Sequence, residues 1–521
     1  MIGTSFHEYV FIRACIFVLQ YTTPLLLLSL VILCVAAGGT ALSWTSSQLL
    51  IAYCVIDVLY AVLIWRPYQR RLKNEARHPP PLNPSDRKKL FLKCAEHTPD
   101  VERYLRLWFL GADSAEIKYD NVLDFTLWAF FDTTPERASE QDTLQAHELV
   151  DLFQERLGRK LDAGRGSARG LRLTIDAVET RYRSLVWFAI IGIVDLYTHV
   201  HLAWLGFEYF AQPRSEAFSV TPPRLQSIFA SKRSASRQLS YWHRPHTAAD
   251  KAPVVFLHGI GIGLWTYAPF LSRIGAADNG SGDVGVIAIE ILPVSFRLTN
   301  EPLSKLEFLS QLDTILDSHG WDDFVLAGHS YGTVLATHMI HSGTFNARIR
   351  GIVLLDPVSI MLHLPDVAYN FTRRKPRRAN EWQLWYFASM DPGVAHALAR
   401  HFFWRENIVW KEELLARPSK DGTLDGQGAG TRKVAVCLSE RDLIVDTLSV
   451  ADYLTDGEDW APGAVSSLAE EETQGTLHRN HHLSRDGVEI LWFPGQDHSQ
   501  MFEKRQDEER ICRVLDHYCM L

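Results

Sequence analysis

The stretch Phe324-Val-Leu-Ala-Gly328-His329-Ser330-Tyr331-Gly332 leaves this chain little choice of local structure. Phe324–Ala327 reads as a buried strand. The segment Tyr331–His341 has a helical pattern and begins with small residues, Gly332, Thr333 and Ala336. Between the two lies Gly-x-Ser-x-Gly. A serine on a sharp strand-to-helix turn has its hydroxyl pushed out toward solvent. Glycines two residues to either side let strand and helix approach closely. The start of the helix also favours negative charge that develops beside it. An ordinary βα turn is the bland reading of these residues; the apolar strand before and the small-residue helix after count against it.

The surroundings of that turn have the same character. From about Pro245 onward, Val254–Leu257, Val284–Ile289, Phe324–Ala327, Ile352–Leu355, Val434–Leu438 and Val488–Phe493 are predicted as buried parallel strands. Leu303–Leu316 repeats Leu303, Leu306, Leu309, Leu312, Ile315 and Leu316 at helical spacing. This alternation predicts the α/β class, a mostly parallel sheet flanked by helices.

Three loops join the serine as candidate site. The strand Val254–Leu257 runs into His258-Gly259-Ile260-Gly261-Ile262-Gly263. Acyl transfer needs two backbone N–H donors on the oxyanion. Tyr331 is the expected source of one, Ile260 or Gly261 of the other. A dinucleotide-binding turn is the rival, with Glu290 at the ribose position. Its third glycine is misplaced for Gly-x-Gly-x-x-Gly, and it leaves Ser330 unexplained. Asp442 follows the strand Val434–Leu438 and His498 follows Val488–Phe493, at the strand ends where open α/β sheets gather catalytic groups. The expected roles are Ser330 as nucleophile, His498 as the base that takes its proton, and Asp442 as the acid that orients the imidazole. Asp356, in Leu354-Leu355-Asp356-Pro357, is the alternative acid; Glu440 and Asp446 flank Asp442. His478, His481 and His482 look like a metal cluster but lack an acidic or Cys partner at suitable spacing, and are read as solvated. No metal and no cofactor is expected.

His258-Gly259, the elbow Gly328-His329-Ser330-Tyr331-Gly332, the Asp442 loop and the Gly495–Ser499 loop, in this order, resemble the α/β-hydrolase superfamily from about Pro245 to the C-terminus. The resemblance implies a serine esterase or lipase that cleaves a carboxylic ester, a lipid ester above all, through a Ser-His-Asp triad and an acyl-enzyme. The same fold hosts other chemistries. Acyl transfer to an alcohol and a non-catalytic membrane adaptor are therefore the alternatives. An acidic, Gly/Ser-rich insert near Asp456–Arg485 departs from the pattern and is read as a surface excursion. The insertion 359–431 is expected to form a helical cap. Its Trp382, Trp385, Tyr386, Phe387, Phe402, Phe403, Trp404 and Trp410 would line an acyl pocket or form the cap's own core. Arg373, Arg374, Lys375, Arg377 and Arg378 would rim it, toward anionic headgroups, or form a solvated basic loop.

The N-terminal half has a different signature. Ala14–Gly38 is very apolar and nearly free of charge, with Pro24 inside it, and Leu49–Trp65 is a second apolar run carrying Asp57. Arg66, Arg70, Arg71, Lys73, Arg77, Arg87, Lys88, Lys89 and Lys93 follow. By the positive-inside tendency they place both ends of a helical hairpin in the cytosol. A cleaved signal peptide is the competing reading of the first run, and the second run argues against it. The expected organisation is a membrane anchor over 1–78, a helical region over 79–244 and a catalytic region over 245–521. Asp86–Arg183 is expected to be helical and amphipathic, broken at Gly164–Gly170. Leu185–Phe210 is expected as an interfacial or buried helix first and a third span second. Two glycosylation sequons, Asn279-Gly280-Ser281 and Asn370-Phe371-Thr372, would report on that topology. An integral membrane location follows, endoplasmic reticulum or lipid droplet, with the membrane and an apolar ester as partners. A net charge of −8 excludes a typical nucleic-acid binder. The seven cysteines form no CxxC pair, and Tyr-Cys-Met-Leu at the C-terminus is not a prenylation box. Nothing in the pattern fixes an oligomeric state.

Overall fold

The protein is described here by a computed structural model covering residues 1–275, 282–418, 430–457, 481–483 and 487–520. Twelve strands appear in it: β1 Glu208–Ala211, β2 Lys232–Arg233, β3 Ser240–Arg244, β4 Val254–Leu257, β5 Val286–Glu290, β6 Phe324–His329, β7 Ile349–Leu355, β8 Ala416–Arg417, β9 Gly430–Thr431, β10 Lys433–Ser439, β11 His481–Leu483 and β12 Val488–Phe493. β8 and β9 pair only with each other. The other ten form one sheet in the order β11-β12-β10-β7-β6-β4-β5-β3-β1-β2. Its centre, from β5 to β12, is parallel. The six strands read from the sequence are these six central ones.

The edges were not legible in the same way. β3 pairs antiparallel with β5, and β1 antiparallel with β3, so residues 208–244 belong to the sheet although they precede the parallel alternation. The apolar run Leu185–Phe210 is accordingly divided. It is helical only over Leu185–Trp204, turns at Gly206, and enters β1.

Alternate residues of each central strand face opposite layers, because successive side chains of a strand do so. Val255 and Leu257 of β4 pack with Leu312 and Ile315 of the helix Lys305–Ser318. Val254 and Phe256 pack with Phe270 and with Leu515 and Tyr518 of the helix Arg505–Cys519. The chain order reverses at β4, which has β5 on one side and β6 on the other. The loops leaving β4 and β6 therefore meet at the crevice where open α/β sheets bind their ligands.

Residues 84–157 supply four helices, Pro84–Glu96, Val101–Trp108, Tyr119–Phe131 and Glu140–Leu157, with an aromatic core of their own that includes Phe91, Trp108, Phe125, Trp128 and Phe130. The expected helix ends there. Gly158 adopts a left-handed φ of 73°, and residues 159–184 form no helix. They run as a strap whose backbone pairs outward, Leu171 donating to the Trp108 carbonyl at 2.8 Å and Arg181 to that of Met390 at 2.9 Å.

Among the described residues, three helices are long and apolar enough to cross a membrane: Thr22–Ser43, Thr45–Arg71 and Leu185–Trp204. The run Ala14–Gly38 is not one helix. It breaks at Tyr21, where the helix Phe6–Gln20 ends and another begins at Thr22. Ile12 and Ile16 of the first helix are buried, and the Arg13 guanidinium stacks 3.8 Å over the Trp382 ring. That helix is held against the insertion between β7 and β10. Asp57 ties the rest together. It accepts hydrogen bonds from the Thr23 hydroxyl at 2.6 Å and from the Leu185 amide at 2.8 Å, the first N–H of the third apolar helix. A buried carboxylate is tolerated in an apolar helix when it satisfies orphan N–H groups of a neighbour.

Candidate active site

Ser330 leaves β6 with φ of 50°, a left-handed conformation rare for a side chain of any kind and costly unless its surroundings enforce it. They do so through its own amide, which donates to the Leu355 carbonyl at 2.9 Å, and its carbonyl, which accepts from Thr333 at 2.9 Å. The flanking glycines are needed for space. A Cβ on Gly332 would sit 2.0 Å from the Leu257 carbonyl oxygen, and one on Gly259 would sit 2.8 Å from the Ser330 Cβ. The elbow and the turn after β4 are in backbone contact.

Ser330 Oγ lies 2.9 Å from His498 Nε2, and His498 Nδ1 lies 2.6 Å from Asp442 Oδ2. A carboxylate only accepts, so Nδ1 carries a proton, and in the neutral imidazole Nε2 is left as acceptor toward the serine hydroxyl. The other Asp442 oxygen accepts from Ile444 N at 2.7 Å and Val445 N at 2.9 Å, which fixes the carboxylate in place. Burial works against a charged imidazole. The Asp442 carboxylate beside it outweighs burial, with help from Asp356 and Asp497, and holds His498 up to about 9.

Asp356 occupies a different position. It accepts from Ser439 N at 2.9 Å, Ser439 Oγ at 3.1 Å and Ser499 N at 2.7 Å, and makes no hydrogen bond to His498. It joins the ends of β7 and β10 to the His498 loop. Burial and the nearby Asp442 charge push its carboxyl up to about 7. The acids flanking Asp442 are committed elsewhere: Glu440 accepts from Gly495 N, and Asp446 caps the helix Thr447–Thr455 through Ser449 N.

Of the expected oxyanion donors, Gly261 is engaged, its N–H donating to the Val294 carbonyl at 3.2 Å. Among the described residues the Ile260 and Tyr331 N–H groups have no acceptor, and both residues line the cavity above Ser330. Sequence reasoning missed the brace behind them. Tyr267 accepts from Gly259 N at 3.2 Å and donates to His329 Nδ1 at 2.7 Å, linking the glycine turn to the elbow.

The cavity encloses about 870 Å³, its open mouth included. Phe371, Phe402 and Trp404 form one wall, while Trp108, Trp128 and Leu173 form another. Of the eight aromatics expected there, Phe402, Phe403 and Trp404 line the cavity and the other five do not. Trp382 packs against Arg13, and Tyr386 and Phe387 pack against Trp187. The basic cluster does not rim the cavity either. Arg374 donates to the Leu443 carbonyl at 2.8 Å and so supports the Asp442 loop; Lys375, Arg377 and Arg378 are exposed. The cavity's own Arg405 is paired with Asp132. No sequence pattern pointed to Trp108 or Trp128, which belong to the aromatic core of the four helices and line the cavity as well.

The remaining candidates fall out on geometry. Glu290 is buried and paired through both oxygens with Arg224 at 2.7 Å, so it is not available to a ribose. The Asn370 amide donates to the Ile444 carbonyl at 3.1 Å and is half-buried. Asn279 and His478 lie outside the described residues, as do the side chains of His481 and His482. Elsewhere Glu301, His396 and His401 bring ligand atoms within 4.8 Å of one another. Arg400 and Arg71 face His396, and Arg400 and Arg77 face His401, positive charge that disfavours a cation there.

Residues 254–510 match the model of the alpha/beta hydrolase family. No curated protein matches this chain. Among solved structures the chain is similar to a membrane phospholipase A described as a bacterial virulence factor, at 11% identity over 64% of this chain and 94% of that one, with a TM-score of 0.38. It is similar to a Bacillus subtilis carboxylesterase at 13% identity over 63% and 99%, TM-score 0.33. It is also similar to the naproxen esterase of Bacillus subtilis at 13% identity over 54% and 89%, TM-score 0.31. Likenesses this remote bear on neither substrate nor mechanism.

Proposed function

We propose, for a chain with an α/β-hydrolase-superfamily fold and three helices fit to cross a membrane, that it is a membrane-anchored serine hydrolase cleaving a carboxylic ester of an apolar, lipid-like substrate. The observation that carries this reading is the hydrogen-bonded line from Ser330 through His498 to Asp442, opening on an apolar cavity. His498 takes the Ser330 proton as Oγ attacks the carbonyl carbon. The Ile260 and Tyr331 N–H groups receive the oxyanion, which they can do without first giving up another acceptor. Asp442 stabilises the imidazolium. His498 returns the proton to the departing alkoxide, and water then cleaves the acyl-serine by the same steps. The acyl chain lies in the cavity walled by Phe402, Trp404 and Trp128. The basic stretch after the second apolar helix supports a cytosolic placement of the site.

Membranes containing the full chain, treated with a fluorophosphonate, test this directly. Labelling of the wild type and its loss in Ser330→Ala, at equal protein level and equal melting temperature, is the expected result. A well-folded wild type that takes no label overturns it.

A further inference from the structure

Tyr331 lines a second cavity as well as the first. This one encloses about 730 Å³ with its open mouth included, and its apolar walls include Leu239, Ile291, Leu303, Phe308 and Leu335. It adjoins the oxyanion turn through hydrogen bonds. Val294 accepts from Gly261 N at 3.2 Å, and Ile291 N donates to His258 Nε2 at 2.9 Å. The two cavities thus share the residue after the nucleophile and border the same glycine turn.

An ester held at Ser330 has an acyl arm and an alkoxy arm, and both need space. The first cavity is nearly all apolar; the second presents Gln212, Ser219, Gln238, Thr299 and Asn300. Its charged lining is wholly acidic: Glu216, Glu290 and Glu301, with no Lys or Arg among the described lining residues. Two of these carboxylates are paired with cations, Glu290 with Arg224 at 2.7 Å and Glu216 with Arg237 at 2.8 Å. A phosphate here would lose its water, gain no cation from the lining and face the Glu301 carboxylate, each of which is unfavourable. A hydroxyl-bearing alcohol would find amide and hydroxyl partners. The wall segment Gln212–Val220 follows the apolar helix Leu185–Trp204 and exposes Phe218 at 77%.

We infer that the second cavity is the leaving-group subsite and that it selects an uncharged, hydroxyl-bearing alcohol of the glycerol type over a phosphate-bearing one. This rests on the ester-hydrolase reading above. In the step concerned, the Ser330 Oγ–carbonyl bond forms as the carbonyl–alkoxy bond breaks. His498 hands the serine proton to the alkoxide, and the neutral alcohol departs into this cavity. Water then gives a proton to His498 as its oxygen bonds to the acyl carbon; the acyl–Oγ bond breaks, His498 returns the proton to Ser330 Oγ, and a carboxylic acid leaves.

The test compares kcat/KM of the full chain in detergent micelles on 1-decanoylglycerol, methyl decanoate and 1-decanoylglycerol 3-phosphate, with fluorophosphonate labelling of every variant alongside. The glycerol ester is expected to exceed its phosphate analogue by about ten-fold or more. Leu303→Trp, at a half-buried wall position, should cut the glycerol-to-methyl ratio about ten-fold, with Leu335→Trp as a second variant. Glu301→Lys should narrow the glycerol-to-phosphate ratio by about five-fold. If labelled Trp variants lose the glycerol and methyl esters in equal proportion, or if the phosphate ester is cleaved as well as the glycerol ester, the subsite is overturned and the hydrolase reading stands. A wild type that takes no label overturns both.

Discussion

The two regions that meet over Ser330 are built on opposite terms. On the sheet side, every group in the proposed chemistry sits at the C-terminal end of a parallel strand: Ile260 past β4, Ser330 past β6, Asp442 past β10 and His498 past β12. Short backbone hydrogen bonds hold each loop, and the side chains have little freedom. On the helical side, Trp108, Trp128 and Leu173 contribute only surface, drawn from helices and a strap that precede the sheet. The difference teaches that chemistry and shape come from separate parts of this chain. A change on one side should alter rate, and a change on the other should alter which ester is cleaved.

The sharpest way to break this comparison lies in the two buried carboxylates. Asp442→Ala should lower the esterase kcat by about 10³–10⁴-fold, since it removes the group that orients and stabilises the imidazolium. Asp356→Asn, which disturbs the braces to Ser439 and Ser499 and removes a lesser raising charge near His498, should cost about ten-fold. Equal losses would mean that Asp356 shares the acid's role. The pH profile separates them further. His498 must be neutral to accept the Ser330 proton, and it is held up to about 9. The rate of fluorophosphonate labelling should therefore rise with pH and level off above about 9. Asp442→Asn removes the largest raising influence, so the limb should move to lower pH. A profile that is flat from pH 6 to 10 would contradict the assignment of His498 as the base.

On the helical side, Trp128→Ala should lower the ratio of decanoyl- to acetyl-ester kcat/KM by about ten-fold, through lost contact with a long chain. The acetyl-ester pH profile should keep its midpoint. A shift of that midpoint would show that the wall also tunes the chemistry. The smallest effect is expected farthest from the site. Asp57→Ala removes the acceptor for Leu185 N and the Thr23 hydroxyl. It should cost about 1 kcal/mol, a loss comparable to that of a helix cap, read as a melting temperature a few degrees lower in detergent. No change would mean that the apolar helices are held by packing alone.

What the sequence determined by itself is the local part. The central strands were legible because a buried parallel strand must be a short apolar run. The elbow was legible because Gly328, Ser330 and Gly332 satisfy a steric demand within five residues. Asp442 and His498 followed from their places just past such runs. Pattern could not choose between Ile260 and Gly261 as oxyanion donor. Which of the two N–H groups is left without an acceptor depends on the Val294 carbonyl, 33 positions away in the chain, which accepts the Gly261 N–H. Nor could pattern assign the aromatic residues, since Trp382 and Trp404 look alike in sequence and only packing puts one against Arg13 and the other over the cavity. β1 was missed because it closes the apolar run Leu185–Phe210, β3 because Ser240–Arg244 carries no continuous apolar run, and the break at Tyr21 because the sequence stays apolar across it. In each case the deciding contact joins residues far apart in the chain. Periodicity records which face of an element is buried, but not what is buried against it. The tertiary structure alone decides that, and with it the shape of the space that a substrate must fit.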